Sequence, residues 1–233
     1  MVYVHERPGA YSFWTMDNTA NDAWGMNNGT VTGTITFSGT TPPTFLTQSF
    51  NYGQYSVHNG NTANFIAISE VPTVFETQAF TIYGWVKTSG GSDQNIIQNW
   101  RNDGGWYGWH LRSVGSTSKL QFEYAYGTGS VGDANSSGNI ATGAWKHFVC
   151  AIDASYATIW IDFAYDSQTA LNTIRNTSSA YYPAIGVRRD TGTSGSNDPF
   201  NGNIKDLAVV PKTFTAGDVK RLRAFTMGRL AYA

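Results

Sequence analysis

The sequence is short of cysteine, glutamate, charge and long apolar runs, and each shortage closes off a class of protein. A single cysteine, Cys150, excludes an intrachain disulfide, and no Cys/His grouping has the spacing of a structural zinc site. Charged residues are 13% of the 233, with 15 Lys+Arg against 16 Asp+Glu. The resulting net charge of −1 leaves no surplus for neutralising phosphates, so nucleic acid is not an expected partner. No stretch approaches the roughly 20 apolar residues that cross a bilayer, and membrane insertion is not expected either. The opening Met-Val-Tyr-Val-His-Glu-Arg-Pro lacks an apolar segment and a cleavage site, which leads to an expectation of cytoplasmic synthesis without a signal peptide.

What the chain does have is aromatic rings, 15% of its residues, and an abundance of Gly, Thr, Ser and Asn, together well over a third. The first argues against disorder, and the second furnishes turns and β-edges but poor helix interiors. Short β-like runs recur between polar clusters at residues 11–16, 30–37, 54–58, 80–87, 106–113, 119–126, 145–152, 157–162, 184–188 and 203–210. In the 80–87 run, Phe80, Ile82 and Val86 share a face opposite Thr81, Tyr83, Trp85 and Lys87. In the 145–152 run, Phe148, Cys150 and Ile152 oppose Trp145, His147 and Val149. Rings on both faces predict strands covered on both sides, near the middle of a two-layer sandwich. Asn27-Asn28-Gly29 and Gly104-Gly105 signal turns, Pro42-Pro43 an extended connection, and 131–138 and 191–197 long polar loops.

One segment has helical spacing. Thr215 suits an N-cap with Asp218 as its reciprocal partner, Val219, Leu222 and Phe225 form a stripe, and Gly228 suits an end. No linker divides the chain. The expectation is an all-β, two-sheet antiparallel sandwich over residues 1–233, with an arm at 1–10 and one C-terminal helix at 215–227.

The motifs, taken in order, resemble the laminin-G-like, concanavalin A-like jelly rolls. Tyr11-Ser12-Phe13-Trp14-Thr15-Met16-Asp17 with Asn27-Asn28-Gly29-Thr30 is similar to their opening. Phe80-Thr81-Ile82 with Trp85-Val86, and Gly143-Ala144-Trp145-Lys146-His147-Phe148-Val149, resemble core strands. Ile159-Trp160-Ile161-Asp162, Ile185-Gly186 and Phe200-Asn201-Gly202-Asn203-Ile204-Lys205-Asp206-Leu207 resemble the strands that follow. On this resemblance Trp145 is expected to bridge the two sheets, and His147 to pack inside them with one ring nitrogen bonded. Two departures stand out. Asp162-Phe163 replaces the family's Asp-Gly turn, so the hairpin is expected to turn differently or later. Lys205 stands where related calcium-binding sandwiches place an acid, and an ammonium repels calcium. No rim calcium and no cofactor are therefore expected, with Asp17 and Asp206 the remaining candidate ligands.

Some jelly rolls of this shape hydrolyse glycosides with paired carboxyls on a Glu-x-Asp-x-x-Glu strand. Here the only glutamates are Glu6, Glu70, Glu76 and Glu123, none in that pattern. Glu123 is expected to stand alone, with Gln121 and Ala125 as same-face neighbours, so no catalytic residue is assigned.

The richest segment runs from Asn99 to His110, with three tryptophans, a tyrosine, an arginine and several amides. Such residues suit sugars, rings against C–H faces and polar groups on hydroxyls. Trp106, His110 and Arg112 fall on one face, Tyr107, Trp109 and Leu111 on the other. The leucine face is the core candidate, which leaves Trp106, His110 and Arg112, joined by Glu123, Arg188, Arg189 and Asp190, as candidate ligand-binding residues. The competing explanation is that the rings simply fill a wide core. The resemblance also admits a structural role, as an accessory protein of a virus particle that decorates or adheres, with other virion proteins, surface glycans or copies of itself as partners. Residues 1–8 and 229–233 suit docking by strand addition. The expected location is the virion, the alternative extracellular.

Overall fold

The structure is a computed structural model that describes residues 12–23, 27–38, 54–68, 78–102, 105–175, 183–190 and 197–232, with side chains to Thr226. The N-terminal arm, Glu6, Pro42, Pro43, Glu70, Glu76, Gly104 and most of the 191–197 loop lie outside the described residues. Its strands are β1 (Ser12–Trp14), β2 (Gly29–Thr32), β3 (Thr36–Ser38), β4 (Tyr55–Asn59), β5 (Phe65–Ile68), β6 (Phe80–Thr88), β7 (Gln94–Asn102) and β8 (Trp106–Val114). There follow β9 (Lys119–Gly127), β10 (Ser130–Asn139), β11 (Trp145–Ile152), β12 (Tyr156–Ile161), β13 (Ala164–Ala170), β14 (Ala184–Ile185) and β15 (Asn201–Val210), then helix α1 (Ala216–Tyr232).

The strands form two antiparallel sheets. One runs β13-β12-β11-β6-β15-β4-β3, with β1 also paired to β15; the other runs β10-β9-β8-β7-β14-β5-β2. Alternation along the strands sends one face of each sheet inward. Phe80, Ile82 and Val86 of β6 and Phe148, Cys150 and Ile152 of β11 meet Trp109, Leu111, Leu120 and Phe122 of the facing sheet in one buried cluster. Phe80 stacks on Trp109 at 5.1 Å and meets Phe122 edge-on at 6.1 Å. Such ring pairs add roughly 0.5–1.5 kcal/mol each to the area they bury.

The outer face of the first sheet is covered too. Val149, Ala151 and Trp160 pack with Tyr83, Phe163 and Phe214 and with Val219 and Leu222 of α1. Thr215 and Asp218 cap the helix reciprocally: the Thr215 N–H donates to Asp218 Oδ2 at 2.9 Å and the Asp218 N–H to Thr215 Oγ1 at 3.3 Å. Two helix expectations are corrected. Gly228 does not end α1, which continues to Tyr232, and Phe225 leaves the packed stripe to stand exposed.

Trp145 and His147 are also corrected. Their odd-numbered positions on β11 share the outer face with Val149, so neither bridges the sheets. Trp145 meets Tyr55 edge-on at 5.3 Å. His147 lies between Trp85 and Phe163, stacked on the latter at 4.0 Å, and its buried Nδ1 has no hydrogen-bond partner among the described residues. Burial pushes the ring down to a pKa of about 3.

The β12–β13 hairpin turns where the family's does. Asp162 (φ 51°) and Phe163 (φ 65°) both adopt the left-handed region between Ile161 and its partner Ala164, a two-residue type I′ turn built without glycine. The turn is anchored on β11: Asp162 accepts from Lys146 Nζ at 2.6 Å and from the His147 N–H at 3.0 Å, while Phe163 covers the His147 ring.

Lys205 fills the rim position. Its Nζ donates to the Gln54 carbonyl at 2.6 Å and to Asp17 Oδ1 at 3.2 Å. Asp206 follows in a left-handed conformation (φ 48°). Among the described residues no group of three or more His, Cys, Asp or Glu is placed to hold a metal ion.

Candidate functional site

Whereas α1 packs on the first sheet, the second sheet carries polar side chains on the face away from the core, along β7, β8, β9 and β10. On β8, Trp109 and Leu111 enter the core, which sends His110 and Arg112 outward. On β9, Leu120, Phe122 and Tyr124 enter the core, and Gln121, Glu123 and Ala125 face out. The register then pairs Arg112 with Gln121, His110 with Glu123, and Glu123 with Asp133. On β7 an irregularity between Asn95 and Ile97 lets Ile96 and Ile97 both reach the core, so Asn95 comes opposite Arg112 and Gln98 opposite His110.

A continuous polar network results. His110 Nε2 lies 3.0 Å from Glu123 Oε1, and Nδ1 lies 3.1 Å from Asn95 Oδ1. Asn95 Nδ2 donates to the Val187 carbonyl at 2.7 Å, which fixes its amide orientation. The histidine is thus flanked by two acceptors, both of which only a doubly protonated ring satisfies. Burial opposes that proton and lowers the pKa of His110, against the bond and charge of Glu123. Arg112 Nε donates to Gln121 Oε1 at 2.7 Å, Nη2 to Glu123 Oε2 at 2.7 Å, and Nη1 lies 3.1 Å from Asp93 Oδ2. For Glu123, burial works against ionisation, but the His110 bond and the nearby cations outweigh it and hold the carboxyl below its ordinary value.

The loop after β14 closes one side. Gly186 (φ 88°) makes the bend, where a Cβ would meet His58 Nδ1 at 2.4 Å. Arg188 and Asn197 exchange backbone bonds at 2.9 and 3.1 Å, and the Asn102 N–H donates to the Asp190 carbonyl at 2.9 Å, which seats the loop on β7. Arg188 then pairs with Asp190 and Asp198, each at 3.1 Å.

The structure brings His110, Arg112, Glu123, Arg188 and Asp190 into one network. Trp106 stands half-buried at the start of β8, 6.4 Å from the Trp100 ring, which lies 5.1 Å from His110. Arg189 departs from the group: its guanidinium lies over the Phe65 ring at 5.1 Å, while Gln98 holds its backbone. Sequence reasoning missed Asn95, Trp100, Asp93, Asp133 and Asp198. Trp100 was legible as part of the aromatic run, whereas the others depend on cross-strand register. Asp133 also corrects the expectation of a solitary glutamate, since it lies directly across the ladder from Glu123. Partial burial raises the pKa of Asp133, and the Glu123 charge adds to the rise.

Comparison with known proteins agrees with this architecture. Residues 59–220 match the laminin-G-type family described as the concanavalin A-like lectin/glucanases superfamily. No curated protein matches the chain by sequence. Among solved structures, domain 4 of AbnA, a GH43 extracellular arabinanase from Geobacillus stearothermophilus, in complex with arabinotriose, superposes with a TM-score of 0.68 at 19% identity, covering 92% of this chain and 99% of that one. The binding domain of botulinum neurotoxin DC superposes in its complex with rat synaptotagmin II (TM-score 0.64, 15% identity) and with SialylT (TM-score 0.65, 14% identity). Each of the two comparisons covers 91% of this chain, which spans about half the length of the toxin domain. By its match over most of its length, the chain belongs to the concanavalin A-like lectin/glucanases superfamily.

Proposed function

We propose that the protein is a non-catalytic binding module that recognises carbohydrate through the outer face of β7–β10. The observation that carries this is the half-buried ring of Trp106, backed by the buried Trp100 and His110 and leading into the partly exposed Arg112–Glu123 network, all outside the main core cluster. A half-buried indole offers a flat apolar surface to sugar C–H groups, and the adjoining amides and carboxylates are fixed in advance for hydroxyls. The arabinotriose complex of AbnA domain 4 and the SialylT complex of the toxin domain lend support, since they place ligands on proteins that share this fold.

A hydrolytic reading has one observation in its favour, the opposition of Glu123 and Asp133. We favour binding because both Glu123 oxygens are held, one by His110 and one by Arg112, which ties that carboxylate into the frame of the face. Loss of activity on aryl glycosides in Glu123→Gln, from a wild type that has such activity, would reverse this preference.

The setting we propose is the surface of a virus particle, where the module serves as an accessory or adhesive protein; a secreted lectin is the alternative. The test is a glycan array with wild type and Trp106→Ala, whose half-buried ring can be removed without opening the core. Wild-type binding that Trp106→Ala loses supports the reading. Inert behaviour of both, with co-purification on a larger particle, would favour a purely structural role.

A further inference from the structure

The same face, if it holds saccharides as proposed above, carries information about their charge. Its cationic groups are already engaged. All three nitrogens of Arg112 meet acceptors, on Gln121, Glu123 and Asp93. Arg188 is paired on two nitrogens, with Asp190 and Asp198, and Arg112 Nη1 lies a further 3.7 Å from Asp198. Five carboxylates, Asp93, Glu123, Asp133, Asp190 and Asp198, therefore face the guanidiniums of Arg112 and Arg188; counting also Arg189 of the same loop and Lys119 of β9, whose ammonium donates to the Ser137 carbonyl, leaves one negative charge in surplus.

Two carboxylates of the face are left over for a ligand. Asp133 is exposed and accepts no hydrogen bond among the described residues. The side chain of Asp93 is 37% exposed. Asn135, exposed on β10, accepts from the Gln121 amide through its Oδ1 at 3.0 Å and so presents its neutral Nδ2 donor beside them. Carboxylate oxygens bind hydroxyl donors well and have no attractive contact to offer another anion.

We infer that the face bearing Trp106, Glu123 and Asp133 selects neutral, hydroxyl-rich saccharides and disfavours those carrying carboxylate, phosphate or sulfate groups. An acidic sugar would have to displace a carboxylate already bonded to Arg112 or Arg188 before it gained a cation. The neutral sugar meets no such competitor.

The test uses the full chain on matched pairs of glycans, each neutral parent beside its sialylated, uronic or sulfated derivative, at two salt concentrations. The expected result is binding to neutral members, weakening by about tenfold or more in acidic partners at low salt and less at high salt. Asp133→Asn, which keeps the shape and removes one charge, should reduce that penalty. Acidic glycans bound at least as tightly as their parents, with binding lost in Arg112→Ala, would overturn the charge inference while keeping the face as the site. Glycan binding untouched by Trp106→Ala would overturn the proposed face itself, and so would the absence of binding to every glycan.

Discussion

The ammonium of Lys205 lies 3.2 Å from a carboxylate oxygen of Asp17, and the same oxygen accepts the backbone N–H of Gln54 at 2.7 Å. With the Gln54 carbonyl at 2.6 Å, the lysine occupies an oxygen-rich corner of the rim with only 6% of its side chain exposed. Lys205→Ala is expected to lower stability by about 2 kcal/mol, through lost packing of the buried stem and an orphaned carbonyl. Lys205→Met should recover about half of that by refilling the space. Thermal melts with calcium or with chelator should superpose. A calcium-dependent rise in Tm would return Asp17 and Asp206 as ligands.

The Asp162-Phe163 turn makes an unusual ranking of substitutions. A non-glycine residue in the left-handed region costs roughly 1–2 kcal/mol, offset here by the stacking of Phe163 on His147. Phe163→Ala keeps the backbone cost and loses the ring, whereas Phe163→Gly loses the ring and the cost together. Urea midpoints should therefore rank wild type above Phe163→Gly above Phe163→Ala. A glycine variant less stable than the alanine variant would contradict this.

Acid should destabilise the fold well above the carboxylate range. Burial pushes His58 and His147 to a pKa of about 3, so both stay neutral when folded, while the unfolded chain takes up protons near pH 6.5. Stability conferred by these neutral rings is complete above pH 6.5 and is lost as pH falls toward 3, at a maximum of about 1.4 kcal/mol per pH unit for each ring. Urea midpoints at pH 7.5 and 5.0 should differ, and His147→Phe should flatten the dependence. Equal midpoints at the two pH values would show that the rings are not buried as described.

Gly186 is expected to tolerate nothing larger. Its φ of 88° and the approach of His58 Nδ1 to 2.4 Å from a Cβ set the cost of Gly186→Ala at roughly 2–4 kcal/mol. Because this bend delivers Arg188 and Asp190 to β7, ligand binding should weaken with stability. A variant with wild-type Tm would remove the argument.

Much of the sandwich was legible because its strands alternate cleanly. The runs at β6, β8, β9 and β11 announce themselves by rings and aliphatics at every second position. The segment at 30–37 reads as one strand, yet it divides into β2 and β3 in opposite sheets, with Gly33 at φ 71° between them. β7 is obscured by its irregularity at Ile96, and β10, mostly Ser, Gly and Asn, has too few apolar residues to show a pattern and reads as a loop. At the candidate site, periodicity alone sorts Trp106, His110 and Arg112 from Trp109 and Leu111. The partners Asn95, Asp133 and Asp198 come from other strands and loops, and only register brings them near.

The most direct test of the central claim is the affinity of the full chain for a neutral oligosaccharide drawn from array hits, measured beside Trp106→Ala at matched Tm. The account predicts saturable binding by the wild type and a loss of about tenfold or more in the variant. Equal affinity in the two proteins, or no binding by either, would contradict it.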